Sequence, residues 1–442
     1  MKSVTLFGGL ELDTDLPSPD LPFEDITAPQ RIILPLSDRP GVYCRPLVQK
    51  GEAVFAGEKI AEDPTGKMMP VHSSISGKVV DIRPYRYAEG ENTLSVFIET
   101  DGKDSFKTEV SPVENLTEAD PATLIDTIKK AGVKIIPFEH LPEPERMGQK
   151  IAKVKHFVIN AIGTGYSGAL PRRILVKRAN ELSDAAQMIR RMFNPEKLFL
   201  VVNREHTDVQ EAITHANLDS VMEVLSMDVY YPLGHPHLLF KAIFGKEIPC
   251  PGGKAIDFGV VFSSVDTVLH ALEAVTQGKP LIKRYVSVFG SGIKSPKNLR
   301  VRIGTPLKEL VEACGGFDGT PGRIVLGNPL DGMAQFDLDR PVLRDTRLLW
   351  VQQEADVMKY SYRACINCGD CTKVCPVGLM PNFLSKFCEF GKSEEAAEQY
   401  DLWTCIDCGL CAYVCPAKRP IVHFINYGKR ELSLRESEYG TL

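Results

Sequence analysis

Two copies of one cysteine pattern carry the clearest chemistry in this sequence. In each copy four cysteines follow the spacing C-x2-C-x2-C-x3-C, and a proline comes directly after the fourth. Thiolates at this spacing hold [4Fe–4S] clusters, and in two-cluster proteins the fourth cysteine of each run binds the other cluster. Four thiolates also suit zinc, but zinc sites rarely use such closely spaced runs that end in proline. The spacing therefore predicts one cluster on Cys365, Cys368, Cys371 and Cys415, and a second on Cys405, Cys408, Cys411 and Cys375.

Composition limits the classes of protein to which the chain can belong. Its 442 residues are 43% hydrophobic and 25% charged, values typical of a soluble globular protein that folds as several domains. The net charge of -5 argues against nucleic acid as a partner. The other cysteines are scattered, so the sequence predicts no disulfide framework and favours a reducing interior. They are Cys44, Cys250, Cys314 and Cys388.

Apolar segments are short throughout the sequence. The first residues lack the apolar stretch of a signal peptide, and no run approaches the roughly 18 apolar residues of a membrane span. We therefore expect no direct membrane span, and membrane association has to come through a partner.

The order of short strands and helices predicts a multidomain α+β and α/β fold. β-type runs broken by Gly and Pro come first, β–α alternation typical of a helix-covered parallel sheet follows, and further short strands precede the cysteines. The two cysteine runs match at eight of twelve positions, which indicates an internal duplication. The predicted units are an N-terminal arm (1–28), a sandwich (29–112), an α/β domain (113–283), a β-grasp-like unit (284–348) and a dicluster domain with a C-terminal tail (349–442).

Seven short segments, in this order, give the sequence a family resemblance. They are Gly8-Gly9, Pro70-Val-His-Ser-Ser-Ile-Ser-Gly, Gly278-Lys-Pro-Leu-Ile, Arg302-Ile-Gly-Thr-Pro, Cys314-Gly-Gly-Phe, Pro376-Val-Gly-Leu-Met-Pro-Asn and Cys415-Pro-Ala-Lys-Arg-Pro. Over nearly its whole length the chain resembles RnfC, the peripheral subunit of the ion-translocating ferredoxin:NAD oxidoreductase (Rnf complex). The resemblance implies a barrel-sandwich hybrid domain, a Rossmann-like domain related to the flavoprotein subunit of respiratory complex I, an SLBB-like β-grasp domain and an α-helical ferredoxin with two [4Fe–4S] clusters.

In that family the Rossmann-like domain binds FMN and takes a hydride from NADH, but this sequence departs from the pattern at three places. The flavin loop of the type Gly-Gly-Ala-Gly-Phe-Pro is replaced by Gly132-Val-Lys-Ile-Ile-Pro-Phe-Glu-His. The acidic Glu-x-Glu-Pro segment is replaced by Ile162-Gly-Thr-Gly-Tyr, and the Gly-Gly-Glu expected after a Tyr-Pro is Leu-Gly-His after Tyr231-Pro. The sequence therefore argues against FMN as a cofactor.

One glycine pattern in the same domain points the other way. Gly163, Gly165 and Gly168 form a G-x-G-x-x-G directly after a predicted strand, the context of a phosphate-binding turn at a helix N-terminus. Arg172 follows closely and would meet phosphate charge, whereas Pro171 is expected to delay the helix. A glycine-rich packing turn explains the same residues.

Three other features each have a functional and a plain structural interpretation. Lys67 lies near the hairpin tip that carries the modified lysine in lipoyl-type carrier domains, and a solvated turn lysine is the alternative. His235 and His237 suggest a metal site but lack an evident third ligand, so loop residues are the alternative. A basic stretch suggests either a docking patch for an acidic partner or a solvated face. It consists of Lys418, Arg419, Lys429 and Arg430.

The main hypothesis is an electron-transfer subunit of an Rnf-type complex, held peripherally on the cytoplasmic face of the cell membrane. It would relay electrons through two [4Fe–4S] clusters between a soluble carrier, with ferredoxin favoured over NADH, and the other subunits of the complex. One alternative is an RnfC that still exchanges electrons with NADH through FMN. Another is a non-catalytic docking adaptor whose clusters are structural.

Overall fold

The computed structural model describes residues 8–11, 21–37, 43–66, 68–87, 92–135, 154–163, 169–358 and 363–439, with side chains up to residue 435 in the last helix. Its strands are β1 (Phe23–Asp25), β2 (Arg31–Pro35), β3 (Arg45–Pro46), β4 (Ala53–Val54), β5 (Lys59–Glu62), β6 (Val71–His72), β7 (Gly77–Arg86), β8 (Asn92–Thr100), β9 (His156–Asn160), β10 (Lys197–Asn203), β11 (Glu223–Met227), β12 (Val260–Ser264), β13 (Lys283–Phe289), β14 (Lys297–Arg302), β15 (Pro321–Leu326), β16 (Met333–Ala334) and β17 (Leu348–Gln353). Its α-helices are α1 (Pro121–Lys130), α2 (Ala169–Phe193), α3 (Thr207–His215), α4 (Pro236–Phe244), α5 (Val265–Gln277), α6 (Leu307–Ala313), α7 (Asp370–Lys373), α8 (Pro381–Glu389), α9 (Ser393–Tyr400), α10 (Leu410–Tyr413) and α11 (Ile421–Tyr439).

The first unit is a sandwich of two antiparallel sheets. One sheet has the strand order β2-β8-β7-β4 and the other the order β3-β5-β6. Val79, Val96 and Ile98 of the first sheet pack with Ile60 and Val71 of the second in one apolar core. The short β-type runs therefore bury their apolar faces against each other, as a sandwich requires.

A parallel sheet with the strand order β11-β10-β9-β12 forms the centre of the second unit. Side chains of β9 alternate between its faces: Phe157 and Ile159 pack with helices α1, α2 and α5, and Val158 packs with helix α4. Helices thus cover both faces, which explains why the strands are continuous apolar runs. Because β10 and β12 lie on opposite sides of β9, a ligand crevice is expected at the carboxyl ends of β9 and β12.

The third unit is a six-stranded sheet with the order β1-β14-β13-β17-β15-β16, packed on helix α6. Strand β1 pairs parallel to β14, with Phe23 opposite Asn298. Strand β17 lies between β13 and β15, so the sheet continues to Gln353. The guanidinium of Arg302 donates to the Ser74 carbonyl and joins this unit to the sandwich.

Helices α7 to α11 form the last unit. Leu384 of α8 and Ile421 and Ile425 of α11 pack in one core, which also contains four of the motif cysteines. These are Cys371, Cys375, Cys411 and Cys415. Within the described residues, no helix combines the length and the apolar character needed to cross a bilayer.

This architecture matches the predicted fold class, with three differences in detail. The predicted arm contains strand β1 of the β-grasp sheet, and the predicted boundary at 348 falls on the first residue of β17. Helix α2 begins at Ala169 and holds Pro171 in its first turn, where proline is tolerated, so Pro171 does not delay the helix. The unit boundaries otherwise remain our proposal.

Lys67 and most of the segment in place of the flavin loop (136–140) lie outside the described residues.

Candidate iron–sulfur site

Each cysteine run folds as a loop that ends in one helical turn. Gly369 and Gly409 have φ of 83° and 77° and directly precede helices α7 and α10. Asn367 and Asp407 also have positive φ, 55° and 56°. Asn and Asp tolerate this left-handed conformation better than other side chains do, and glycine adopts it freely. The duplication seen in the sequence is therefore a duplication of backbone conformation.

The fold gathers the eight motif cysteines into two groups of four. One cavity of about 360 Å³ and another of about 370 Å³ lie in the helical unit, each lined by four cysteines. Three cysteines in each cavity come from one run and the fourth from the other, which is the crossed grouping that the spacing predicts. The first cavity is lined by Cys365, Cys368, Cys371 and Cys415, and the second by Cys405, Cys408, Cys411 and Cys375. Two cavities with thiols on several sides fit two [4Fe–4S] clusters.

The two cavities differ in their exposure to solvent. Cys368 of the first cavity is exposed, and Ile366, which lines the same cavity, is 66% exposed. Ile406, at the corresponding position of the second run, packs against the apolar core of the α/β domain. Burial raises the pKa of the Cys405 thiol to about 12 and that of Cys408 to about 11. Ile366 is therefore open to solvent at the first cavity, whereas the α/β domain covers the corresponding side of the second cavity.

Two hydrogen bonds and one close approach hold the second cysteine run, and a third hydrogen bond holds the end of the first run. Tyr231 donates its hydroxyl to the Cys408 carbonyl at 2.6 Å, and Cys250 donates its thiol to the Trp403 carbonyl at 3.1 Å. In the β-grasp unit, the Leu330 carbonyl lies directly against Gly409. At the neighbouring end of the first run, the Gly9 amide donates to the Val374 carbonyl at 3.1 Å. These contacts, which no local sequence signal revealed, fix the second run between the α/β and β-grasp units.

Because Leu330 lies so close to Gly409, a larger residue at position 409 should destabilise the fold more than the same change at Gly369, the equivalent glycine of the first run. A methyl group at position 409 would overlap the Leu330 carbonyl oxygen, whereas a methyl group at Gly369 meets nothing within 4 Å. Both Gly→Ala substitutions also force alanine into a left-handed φ, which costs about 1–2 kcal/mol. We expect Gly409→Ala to lower the free energy of unfolding by about 1–3 kcal/mol more than Gly369→Ala does. Urea unfolding of the two variants measures this difference, and equal losses would contradict the packing.

Two residues of the predicted basic docking patch are not available at the surface. Arg419 is 4% exposed and forms an ion pair with Glu389 at 2.6 Å. Lys429 donates to the Cys405 carbonyl at 2.6 Å and pairs with Asp407 at 2.8 Å. The prediction of a docking patch is therefore wrong for Arg419 and Lys429, because Arg419 is paired with helix α8 and Lys429 with the loop that carries Cys405.

The crevice at the end of β9 contains the residues that replace the family's flavin motifs. The Asn160 side chain accepts from the amides of Ile162 and Gly163 at 3.0 and 3.3 Å and donates to the Gly234 carbonyl at 3.0 Å. The Gly163 amide, which a phosphate-binding turn would present to its ligand, is thus bonded within the protein. Gly165 and Gly168 lie outside the described residues.

The histidine pair next to this crevice is arranged as part of a loop. The His237 amide donates to Nδ1 of His235 at 3.3 Å, at the start of helix α4. Burial lowers the pKa of His235 to about 4, so the ring is neutral at pH 7. Within the described residues, no group of three His, Cys, Asp or Glu side chains is placed to hold a single metal ion.

Four family models match successive parts of the chain. They are described as the RnfC barrel sandwich hybrid domain (residues 4–103), the Nuo51 FMN-binding domain (143–273), the SLBB domain (285–334) and the 4Fe-4S dicluster domain (364–418). Their order is that of the four folded units. The FMN-binding model matches the α/β domain even though the sequence departs from the flavin motifs there.

Curated relatives match the chain over almost its whole length. The C subunit of the Na(+)-translocating ferredoxin:NAD(+) oxidoreductase complex of Acetobacterium woodii is 33% identical over 408 residues, 91% of each chain. The C subunit of the proton-translocating ferredoxin:NAD(+) oxidoreductase complex of Clostridium ljungdahlii is 33% identical over 417 residues, 93% of this chain and 90% of the relative. The C subunit of the ion-translocating oxidoreductase complex of Methanosarcina acetivorans is 28% identical over 433 residues, 93% of this chain and 94% of the relative.

Proposed function

This chain belongs to the RnfC family, the C subunits of ion-translocating ferredoxin:NAD(+) oxidoreductase complexes, and from that premise we propose that it relays electrons within such a complex. The relay runs between a soluble carrier and the membrane subunits, on the cytoplasmic face of the cell membrane. The observation that carries the proposal is the pair of cysteine-lined cavities, one open to solvent and one enclosed by the other domains.

We propose the crossed ligand sets as the binding sites of the two clusters. Cys365, Cys368, Cys371 and Cys415 hold the exposed cluster, and Cys405, Cys408, Cys411 and Cys375 hold the buried one. Each cluster, when bound, supplies reversible one-electron transfer. The protein orients the thiolates through the left-handed loop residues, and it excludes water from the buried site with the α/β core.

The difference in exposure gives the relay two distinct ends. A protein that exchanges electrons with the chain can approach the exposed cluster, because Cys368 and Ile366 are open to solvent. The buried cluster faces the α/β domain through Ile406 and Tyr231. We assign the exposed end to a protein partner, either the soluble carrier or a neighbouring subunit of the complex.

We favour ferredoxin over NADH as the soluble carrier. At the crevice where a flavin phosphate would lie, the Gly163 amide and the Asn160 side chain already bond to the chain itself. The family's glutamate is replaced by His235, which is neutral at pH 7 because burial lowers its pKa to about 4. The second candidate function is NADH oxidation or reduction through FMN, which the match to the FMN-binding family model favours.

Anaerobic reduction of the purified holoprotein separates these functions. We expect reduced ferredoxin to bleach the broad visible absorbance of the oxidised clusters, and NADH at the same concentration to leave it unchanged. Bleaching by NADH, with flavin released on acid treatment, would contradict the proposal and support the FMN route. Bleaching by neither donor would indicate a docking adaptor with structural clusters. Dithionite serves as the control that the clusters are reducible.

A further inference from the structure

Equivalent positions of the two cysteine loops carry different charges. Residue 367 of the first loop is Asn and residue 407 of the second is Asp, each two positions after the first cysteine of its run. Both have a left-handed backbone, with φ of 55° and 56°. Cys365 donates its thiol to Oδ1 of Asn367 at 3.5 Å, and Cys405 donates its thiol to Oδ1 of Asp407 at 3.5 Å. The two loops therefore place a side-chain oxygen at the same distance from a cysteine sulfur, but only the second oxygen belongs to a carboxylate.

A lysine from the helix that follows each loop reaches this oxygen. Lys386 of helix α8 donates to Oδ1 of Asn367 at 3.3 Å, and among the described residues it forms no ion pair with a carboxylate. Lys429 of helix α11 pairs with Asp407 at 2.8 Å. The first loop therefore gains a positive charge from its lysine, whereas in the second loop the carboxylate balances the charge of the lysine.

Other charged side chains at the first loop occur in balanced pairs. Asp370, which directly follows the left-handed glycine of this loop, pairs with Lys373 at 3.1 Å. Arg419, which lines the first cavity, pairs with Glu389 at 2.6 Å. Neither pair cancels the positive charge that Lys386 brings to the loop.

The second loop has a further carboxylate beside it. The Tyr231 hydroxyl, which donates to the Cys408 carbonyl, lies 3.4 Å from a carboxylate oxygen of Asp331. Burial raises the pKa of Asp331 to about 6, so the group is mainly ionised at pH 7. Asp331 therefore adds negative charge at the second loop and increases the difference between the two loops.

Solvent acts in the same direction as these charges. A [4Fe–4S] cluster becomes more negative when it takes up an electron, and its potential depends on nearby charge and on exposure to solvent. A cation therefore favours the reduced state, while a carboxylate or a dry surrounding disfavours it. The first loop is open to solvent at Cys368, whereas Ile406 of the second loop packs on the α/β core. Charge and solvent both favour the reduced state at the first cavity.

We propose that Asn367 and Asp407 set the two clusters apart in reduction potential, with the higher potential at the exposed site. This inference rests on the proposed function, since it requires a cluster in each cavity. An electron taken up by the chain then resides mainly at the exposed site, where a protein partner can reach it. Neither residue is a cluster ligand, and each acts through the charge that it presents beside the first cysteine of its run.

A redox titration of the anaerobic holoprotein, followed by electron paramagnetic resonance, tests this order. We expect two one-electron steps. Asp407→Asn should shift the equilibrium of the lower-potential step about tenfold toward reduction, which is about 59 mV for one electron, and leave the higher step in place. Asn367→Asp should lower the higher step by a similar amount. Both changes keep the size of the side chain, and Asn and Asp both tolerate the left-handed φ. Absence of either shift, or a shift of the other step, would overturn the proposal.

Opposite charge changes separate the effect of charge from a loosened loop. Lys429→Gln breaks the same ion pair as Asp407→Asn, but it removes the cation and should lower the lower-potential step. Shifts of that step in one direction for both variants would indicate a loosened loop and refute the proposal. Asn367→Asp breaks no ion pair among the described residues, so its shift decides the question if Asp407→Asn loses iron.

The matched control removes the same charge at another left-handed residue of this unit. Asp401 is exposed and has φ of 54°, and Asp401→Asn should shift neither step by more than about twofold, because solvent and salt screen its charge. Equal shifts for Asp401→Asn and Asp407→Asn would refute the proposal.

The titration also separates this inference from the proposed relay, because chemical reductants replace the physiological donor. Clusters that dithionite reduces in two steps but reduced ferredoxin does not reduce would contradict the relay and support the order of potentials. Clusters that ferredoxin reduces in a single step at one potential would support the relay and overturn the order.

Discussion

Replacing Cys415 by Ser should lower the iron content of the anaerobically purified chain from about eight atoms to about four. Cys415 belongs to the second cysteine run, yet it lines the first cavity together with Cys371. Its loss leaves that site with three thiolates in the more exposed half of the domain, where solvent and chelators reach the iron. Iron and acid-labile sulfide per chain measure the loss, and retention of about eight iron atoms would contradict the assignment.

Double variants distinguish the crossed arrangement from two self-contained runs. Adding Cys371→Ser to Cys415→Ser should remove no further iron, because both residues serve one cluster in the crossed arrangement. Adding Cys411→Ser to Cys415→Ser should remove nearly all the iron, because the two residues serve different clusters. Two self-contained runs predict the reverse result for both pairs. The two double variants are therefore controls for each other.

Replacing Asp266 by Ala should lower the free energy of unfolding by about 3–5 kcal/mol. Burial alone would raise the pKa of Asp266, but Arg347 and Arg284 outweigh it and hold the pKa well below its usual range. The carboxylate is therefore ionised at neutral pH, and its removal leaves the buried Arg284 guanidinium without its partner at 2.8 Å. Urea unfolding followed by circular dichroism measures the loss.

Two further variants test whether the unpaired charge causes this loss. Asp228→Ala removes the carboxylate of the exposed Arg204–Asp228 pair, also at 2.8 Å, and should cost no more than about 1 kcal/mol. Asp266→Ala combined with Arg284→Met should recover part of the lost stability, because a buried pair can often be replaced by apolar residues. A double variant less stable than Asp266→Ala alone would show that the guanidinium has other favourable contacts.

Short-range sequence patterns were sufficient for the architecture. Short β-type runs predicted the sandwich, and apolar strands that alternate with helical patterns predicted the helix-covered parallel sheet, because the direction of side chains in strands and helices follows from backbone geometry. The local sequence pattern did not predict strand β1, because Phe23 pairs with Asn298 far along the chain. A three-residue strand that joins a distant sheet has no local signal of its own.

The positions of charged residues in the sequence predicted binding surfaces less well than apolar patterns predicted the fold. Arg419 and Lys429 belong to one basic stretch, but Glu389 at the end of helix α8 and Asp407 in the second cysteine loop pair with them inside the domain. Whether a charged side chain is exposed or buried depends on the partners and neighbours that the fold brings to it, and these are not local in the sequence. The same reason hid the ion cluster of Asp266, Arg284 and Arg347, whose members come from separate elements.

The sequence by itself determined the kind of cofactor, the duplication and the grouping of cysteines that we propose as ligands, because thiolate number and spacing within a few residues decide what a loop can hold. Only the tertiary structure decided that the two sites are unlike. Ile366 and Ile406 occupy equivalent positions in the two runs, yet one is 66% exposed and the other packs on the α/β core. Equivalent residues acquire different surroundings because burial depends on neighbouring domains, and the cysteine spacing carries no information about them.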